Sequence, residues 1–224
     1  SNLLPGHRDA TNAEHRAAVA DYWGVEQLAK QPGLSAVELF EAVRAGKIKA
    51  LWIACTNPAQ SLPDQQKVHE ALAACPFVVV QEAFFTTETC RHADLLLPAA
   101  SWGEKEGTVT NSERRISHVR RAVPAPGEAR ADWAITCDFA RRLERHLRPG
   151  QPSLFTFKNA EALFEEYKPL TAARDLDYSG LSYALIDTLG PQQWPFPPGS
   201  EQGTARLYDD GVFPTANGRA RFIA

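Results

Sequence analysis

Gly103 and Gly107 bracket Glu104, Lys105 and Glu106 within residues 103–115 (GEKEGTVTNSERR). Glycine lets backbone amides approach a ligand closely, and Lys105 offers a point charge for a phosphate. A charged hairpin has the same composition, so these residues alone leave both readings open. Neither GxxxxGK[ST] nor GxGxxG occurs in the chain. Nucleotide triphosphatase chemistry is therefore disfavoured.

Three further positions carry chemistry suited to a polar ligand. Asn57 follows Cys55-Thr56 and precedes Pro58. Its amide donates and accepts, and the proline restricts it to extended conformations. Such a side chain suits a heterocycle or a sugar, though Asn-Pro equally opens a turn. Gln81-Glu82 closes an apolar run, where a carboxylate can accept from ribose hydroxyls or simply meet solvent. Asp132 follows a turn containing Gly127 and starts a predicted helix, whose positive end favours an ionised carboxylate.

Nothing in the chain forms a catalytic or metal-binding constellation. His7, His15, His69, His92, His118 and His146 are scattered, and Cys55, Cys75, Cys90 and Cys137 contain no CxxC or CxxH pair. They read as ordinary histidines and as buried or incidental thiols. No GxSxG elbow or Cys–His signature supplies a nucleophile.

The elements that must position these residues alternate strand and helix. Helices are expected over residues 11–23 and 35–45, the second with a Val37, Phe40, Val43 stripe, Ser35 as cap and Gly46 as stop. Residues 49–55 (KALWIAC) form a nearly continuous apolar run, which predicts a strand covered on both faces. A helix from Pro63-Asp64 to about Cys75 follows, then a strand over 77–80 ending at Gln81-Glu82. Residues 86–93 predict a short helical turn and 94–97 a third strand closed by Pro98. This order implies an open, mostly parallel α/β sheet with helices on both faces, of the dinucleotide-binding kind. Ligands of such sheets bind beyond the carboxyl ends of the strands. The loops at 56–62, 81–87 and 99–115 are therefore the ones to examine.

Residues 116–123 predict an extended stretch, 132–147 a helix, and 157–190 two short helices. Residues 148–153 and 191–200, rich in Pro and Gly, read as surface connections. The chain divides into an α/β core at 1–147 and an irregular C-terminal extension at 148–224, which is expected to lean on domains outside it. Residues 213–222 are turn-rich and stop without a signal.

Bulk composition excludes more than it assigns. A net charge of -3 over 224 residues leaves no global field for nucleic acid or an anionic membrane. No apolar run approaches the roughly 20 residues of a spanning helix, and no signal-peptide pattern opens the chain. Methionine is absent, and Ser1-Asn2 has the form of a protease-cleavage scar, so both termini are expected to be cuts in a longer sequence.

Several segments together resemble the molybdopterin oxidoreductases that carry two molybdopterin guanine dinucleotides around one molybdenum. They are residues 51–64 (LWIACTNPAQSLPD), 77–117 (FVVVQEAFFTTETCRHADLLLPAASWGEKEGTVTNSERRIS) and 126–133 (PGEARADW). Residues 2–16, 178–197 and 214–222 are similar to the assimilatory nitrate reductase branch of that family. The resemblance covers nearly the whole chain. It implies an α/β domain holding one guanine dinucleotide, with contacts that fall, position by position, on Asn57, Gln81, Glu82, Lys105 and Asp132. It implies a cytoplasmic parent enzyme that reduces nitrate to nitrite and works with an electron donor protein or domain.

The family's iron–sulfur cysteines, its protein ligand to molybdenum, its other dinucleotide domain and its C-terminal barrel-like domain have no counterpart here. The chain alone is thus expected to be inactive and to depend on other domains of one parent polypeptide. A formate dehydrogenase or an N- or S-oxide reductase shares the motifs of residues 77–117. A non-catalytic α/β binding or assembly module is a further alternative.

Overall fold

A computed structural model describes residues 3–222; Ser1 and Asn2, with the expected cleavage scar, lie outside them. The chain opens on the antiparallel pair β1 (Leu3–Leu4) and β2 (Arg8–Asp9), followed by α1 (Ala13–Trp23) and α2 (Ala36–Arg44). A capping box starts α2: Ser35 N–H donates to Glu38 at 2.9 Å, and Glu38 N–H donates to the Ser35 hydroxyl. This satisfies two amides that have no partner within the helix.

Next come β3 (Leu51–Ala54), α3 (Pro58–Ser61), α4 (Gln65–Ala74), β4 (Val78–Glu82) and β5 (Leu95–Pro98). The three strands form one parallel sheet in the order β3-β4-β5. Alternation sends Leu51, Ile53, Val78 and Val80 to one face, where Phe40 and Val43 of α2 and Val68, Ala71 and Leu72 of α4 pack against them. Trp52 turns to the other face. There it meets Phe139 of α5 (Asp132–Leu147) edge-on, with ring centroids 4.9 Å apart. Helices cover both faces, as the apolar runs of β3 and β4 require.

A second, antiparallel sheet joins β6 (Gly107–Thr110), β7 (Arg115–Val119) and β8 (Gln192–Gln193). The charged residues 103–115 therefore do enter a hairpin, and Lys105 sits at its base. After α5 the chain forms α6 (Ala160–Tyr167) and α7 (Tyr183–Leu189), the two short helices anticipated. Ile116, Phe164, Leu181, Tyr183, Ile186 and Phe196 make a second core over this sheet.

One expectation fails here. Residues 191–200 are not merely a surface connection, since Gln192 is buried in β8 and Phe196 is 1% exposed. The proline content there shapes a bend that returns the chain to β7. Arg114 holds this return: its guanidinium donates to the carbonyls of Trp194, Thr204 and Ala205 and stacks on the Trp194 ring. Among the described residues, no helix is long and apolar enough to cross a membrane.

Candidate functional site

The carboxyl ends of β3 and β4, the approach to β6 and the first turn of α5 converge on Asp132. Its Oδ2 accepts from Lys105 Nζ at 2.7 Å, and its Oδ1 accepts from Gln81 Nε2 at 2.8 Å. Cys55 Sγ donates to the same Oδ1 at 3.4 Å. Asp132 is the first residue of α5, at the positive end of a 16-residue helix. Burial pushes its pKa upward, but the bonds from Lys105 and Gln81 outweigh that and hold it below the ordinary carboxylate value. At neutral pH the group is an anion.

Local sequence explains how each partner arrives. Ser101 and Glu104 form a capping box around a short 3-10 turn, with Ser101 N–H donating to Glu104 at 2.8 Å. Lys105 leaves that turn with its ammonium over the Trp102 ring, 5.5 Å from the centroid. Gln81 lies on the α5 face of β4, is 2% exposed, and keeps one atom, Oε1, buried without a partner. Cys55 follows β3 with φ +59°, a left-handed conformation that side chains rarely adopt. Burial first, then the Asp132 charge, raises the Cys55 thiol pKa, which favours the protonated form that donates to Asp132.

The structure brings together Gln81, Lys105 and Asp132 but engages Asn57 and Glu82 separately. Asn57 Nδ2 donates to Glu88 at 2.7 Å and Gln60 at 3.2 Å, while its Oδ1 accepts from Thr89 Oγ1 at 2.6 Å and Thr89 N–H at 3.2 Å. Both donors and both lone pairs are thus used: three bonds tie the β3 loop to the turn before β5, and the one to Gln60 closes the loop on itself. Asn57→Leu keeps the branched shape without its polar atoms and strands buried Thr89. It is expected to cost about 1–3 kcal/mol in urea unfolding, and an unchanged midpoint would show that the tie is idle. Glu82 Oε1 accepts from the Ala83 and Phe84 amides at 2.7 and 3.4 Å, leaving Oε2 for another donor.

A cleft of about 450 Å³ opens beside Lys105 and Asp132, walled by Trp133, Phe164, Tyr167 and Tyr178. Burial raises the Tyr178 pKa, so its ring presents a neutral phenol. Flat aromatic walls and an acceptor carboxylate suit a ring with N–H donors, and Lys105 is the cation for a phosphate on a lining that also carries Glu106 and Glu166. Sequence reasoning missed Cys55 and this aromatic wall. Cys55 had a signal, its place at a strand's carboxyl end. The tyrosines come from α6 and the loop before α7, too far along the chain to be associated with Lys105. Among the described residues, no three His, Cys, Asp or Glu side chains gather as metal ligands.

Comparison with known proteins bears on this geometry. The family model described as molybdopterin oxidoreductase matches residues 4–142. A nitrate reductase of Synechocystis sp. is 43% identical over 228 residues, covering 99% of this chain and 31% of that protein. The F420-dependent formate dehydrogenase subunit alpha of Methanocaldococcus jannaschii is 36% identical over 223 residues, covering 99% of this chain and 30% of that one. Among solved structures, acetylene hydratase from Pelobacter acetylenicus superimposes with a TM-score of 0.50 at 24% identity, over 62% of this chain and 19% of that one. That last likeness concerns the fold alone. The chain spans under a third of the length of these relatives.

Proposed function

The chain belongs to the molybdopterin oxidoreductase family, and from that premise we propose that it holds one guanine dinucleotide of a paired molybdopterin cofactor in a cytoplasmic nitrate-reducing enzyme. The observation that carries this reading is the Lys105–Asp132–Gln81 cluster at the strand ends, beside an aromatic cleft. The residues present fit such a group. Gln81 Oε1 is a buried acceptor awaiting a donor, and Asp132 is an anion whose side chain is 29% exposed. In this reading the cofactor, when bound, supplies oxygen-atom transfer at molybdenum.

The chain's own residues orient and neutralise. Asp132 would accept from the guanine N1–H and amino group, its Oδ1 giving up the long Cys55 bond, while Lys105 would pair with a phosphate or pterin oxygen and Glu82 Oε2 would accept from the ribose. Gln81 aims Asp132, and Asn57 fixes the loop beside it, where any direct contact to the ligand would replace one of its four internal bonds. Residues 1–147 form the cofactor-binding core in this proposal, and 148–224 lead toward the parent's next domain. That parent brings the iron–sulfur cluster and meets an electron donor protein or domain.

Nitrate is favoured over formate by the higher identity to the nitrate reductase and by the resemblance of residues 2–16 and 178–197. The test is Lys105→Ala in the longer polypeptide, with molybdenum and released guanine nucleotide as readouts. Charge-assisted bonds contribute about 1.5–3 kcal/mol, so affinity should fall roughly tenfold or more. Full cofactor content would remove Lys105 from the site. Turnover of formate, with none of nitrate, by the unsubstituted enzyme would overturn the substrate.

A further inference from the structure

Strand β5 is the least covered part of the parallel sheet. Its residues, Leu95-Leu96-Leu97-Pro98, are wholly apolar, a composition that parallel sheets bury on both faces. Yet Leu95 and Leu96, which leave opposite faces of the strand, are each 43% exposed. The other edge differs: in β3, Leu51 and Ile53 are buried and Trp52 packs on Phe139.

The backbone of β5 is open as well. It pairs with β4 on one side; on its outer side Arg130 N–H donates to the Pro98 carbonyl at 3.1 Å and Ala99 bridges Arg130, which leaves the stretch from Leu95 to Leu97 open. Asp94 N–H donates inward to Val78 at 2.9 Å, so alternation turns the N–H groups of Leu95 and Leu97 outward. Exposed edges are normally blunted by charge. Here Asp94, just before the strand, faces inward and accepts from Val78 N–H at 2.7 Å, and the charges of Glu128 and Arg130 stand only beside its C-terminal half. An open cleft of about 530 Å³ runs from Leu96, Leu97 and Pro98 toward Ile135 of α5, with Glu128 and Arg130 on its rim.

We propose that this edge is completed in cis: an extended aliphatic segment of the same polypeptide, outside these 224 residues, adds a strand to β5. Area decides between this occupant and a second copy of the chain. A four-residue strand is about 13 Å long, and adding one partner buries roughly a few hundred Å², against about 1,200–2,000 Å² in a stable association. A tethered segment has a high effective concentration and needs no such area. Two relatives supply the length, since this chain matches 31% and 30% of them. The inference goes beyond cofactor binding and stands whether or not that reading holds.

Hydrogen exchange over residues 94–98 tests it, in the longer polypeptide and in the 224-residue chain. In the longer form the Leu95 and Leu97 amides should exchange about 100-fold more slowly than in the short one, independently of protein concentration. Should the short chain fail to fold, the internal reference is the loop at Phe84 and Phe85, which are 65% and 79% exposed. Residues 94–98 should then match β4 and not that loop. Exchange as fast as the loop's in the longer polypeptide overturns the proposal. So does protection that appears only as the concentration is raised, which would identify a second copy as the occupant.

Discussion

Asp132→Asn in the longer polypeptide is expected to lower its guanine nucleotide content by roughly tenfold or more, while Glu82→Gln retains most of it. Guanine presents adjacent N1–H and amino donors, which one carboxylate accepts together. An amide offers one acceptor oxygen and sets its own donor against a guanine donor. Unpaired buried groups of this kind cost about 1–3 kcal/mol, more when charged. Lys105 loses its 2.7 Å partner in the same substitution, so the damage extends past the base. Glu82, assigned to the ribose, sits outside the Asp132 cluster, and an amide keeps an acceptor oxygen for a hydroxyl, so Glu82→Gln is the comparison that separates sugar from base recognition. Full nucleotide content in Asp132→Asn would refute the assignment.

The same carboxylate sets an acid limit. Its pKa in the folded chain lies below the ordinary value, despite burial, because of the Lys105 and Gln81 bonds. The unfolded chain therefore takes up its proton first, at about pH 3.9. The stabilisation is complete above that pH and fades as pH falls through the lower, folded value. Acid unfolding of Asp132→Asn should accordingly show a shallower decline below about pH 4 than the unsubstituted chain. Superimposable curves would mean that Asp132 is not held ionised by its neighbours.

How much of this was legible in the sequence depends on how local each signal is. The apolar runs of β3 and β4 announce buried strands, and the loops at their carboxyl ends follow from parallel topology, which points to Gln81 and Lys105. Asp132 stands out only as the start of a predicted helix and through the family resemblance. The meeting of the three was not legible, because it depends on the hairpin base placing residue 105 opposite α5. Asn57 illustrates the opposite case. Asn-Pro carries a ligand reading and a turn reading, and only the fold reveals four bonds made within the loop region. Arg114 belongs to the same motif as Lys105, yet its guanidinium braces the returning chain at Trp194, Thr204 and Ala205. A motif's residues can thus divide between ligand and scaffold, and spacing does not separate the two.

Phe196→Ala is expected to give the largest loss of stability, about 3–5 kcal/mol. Pro-rich surroundings suggest a surface loop, but Phe196 is 1% exposed and packs among Ile116, Phe164, Leu181, Tyr183 and Ile186. Its backbone is held too: Phe196 N–H donates to Asp177 at 2.5 Å and its carbonyl accepts from Gly180 at 3.1 Å. Gly180 permits that approach, because a Cβ there would lie 2.5 Å from the Pro197 carbonyl oxygen. These contacts cannot relax into the space left by the ring, so most of the cavity should persist. The cluster is distinct from the one beneath β3 and β4, so the loss should fall first on residues 157–199. Limited proteolysis should cut Phe196→Ala within that stretch while β3, α4 and β4 stay intact. Phe84→Ala, at a side chain 65% exposed, is the control and should shift the unfolding midpoint little. If the two variants unfold alike and are cut alike, the second core does not hold the C-terminal extension to β7.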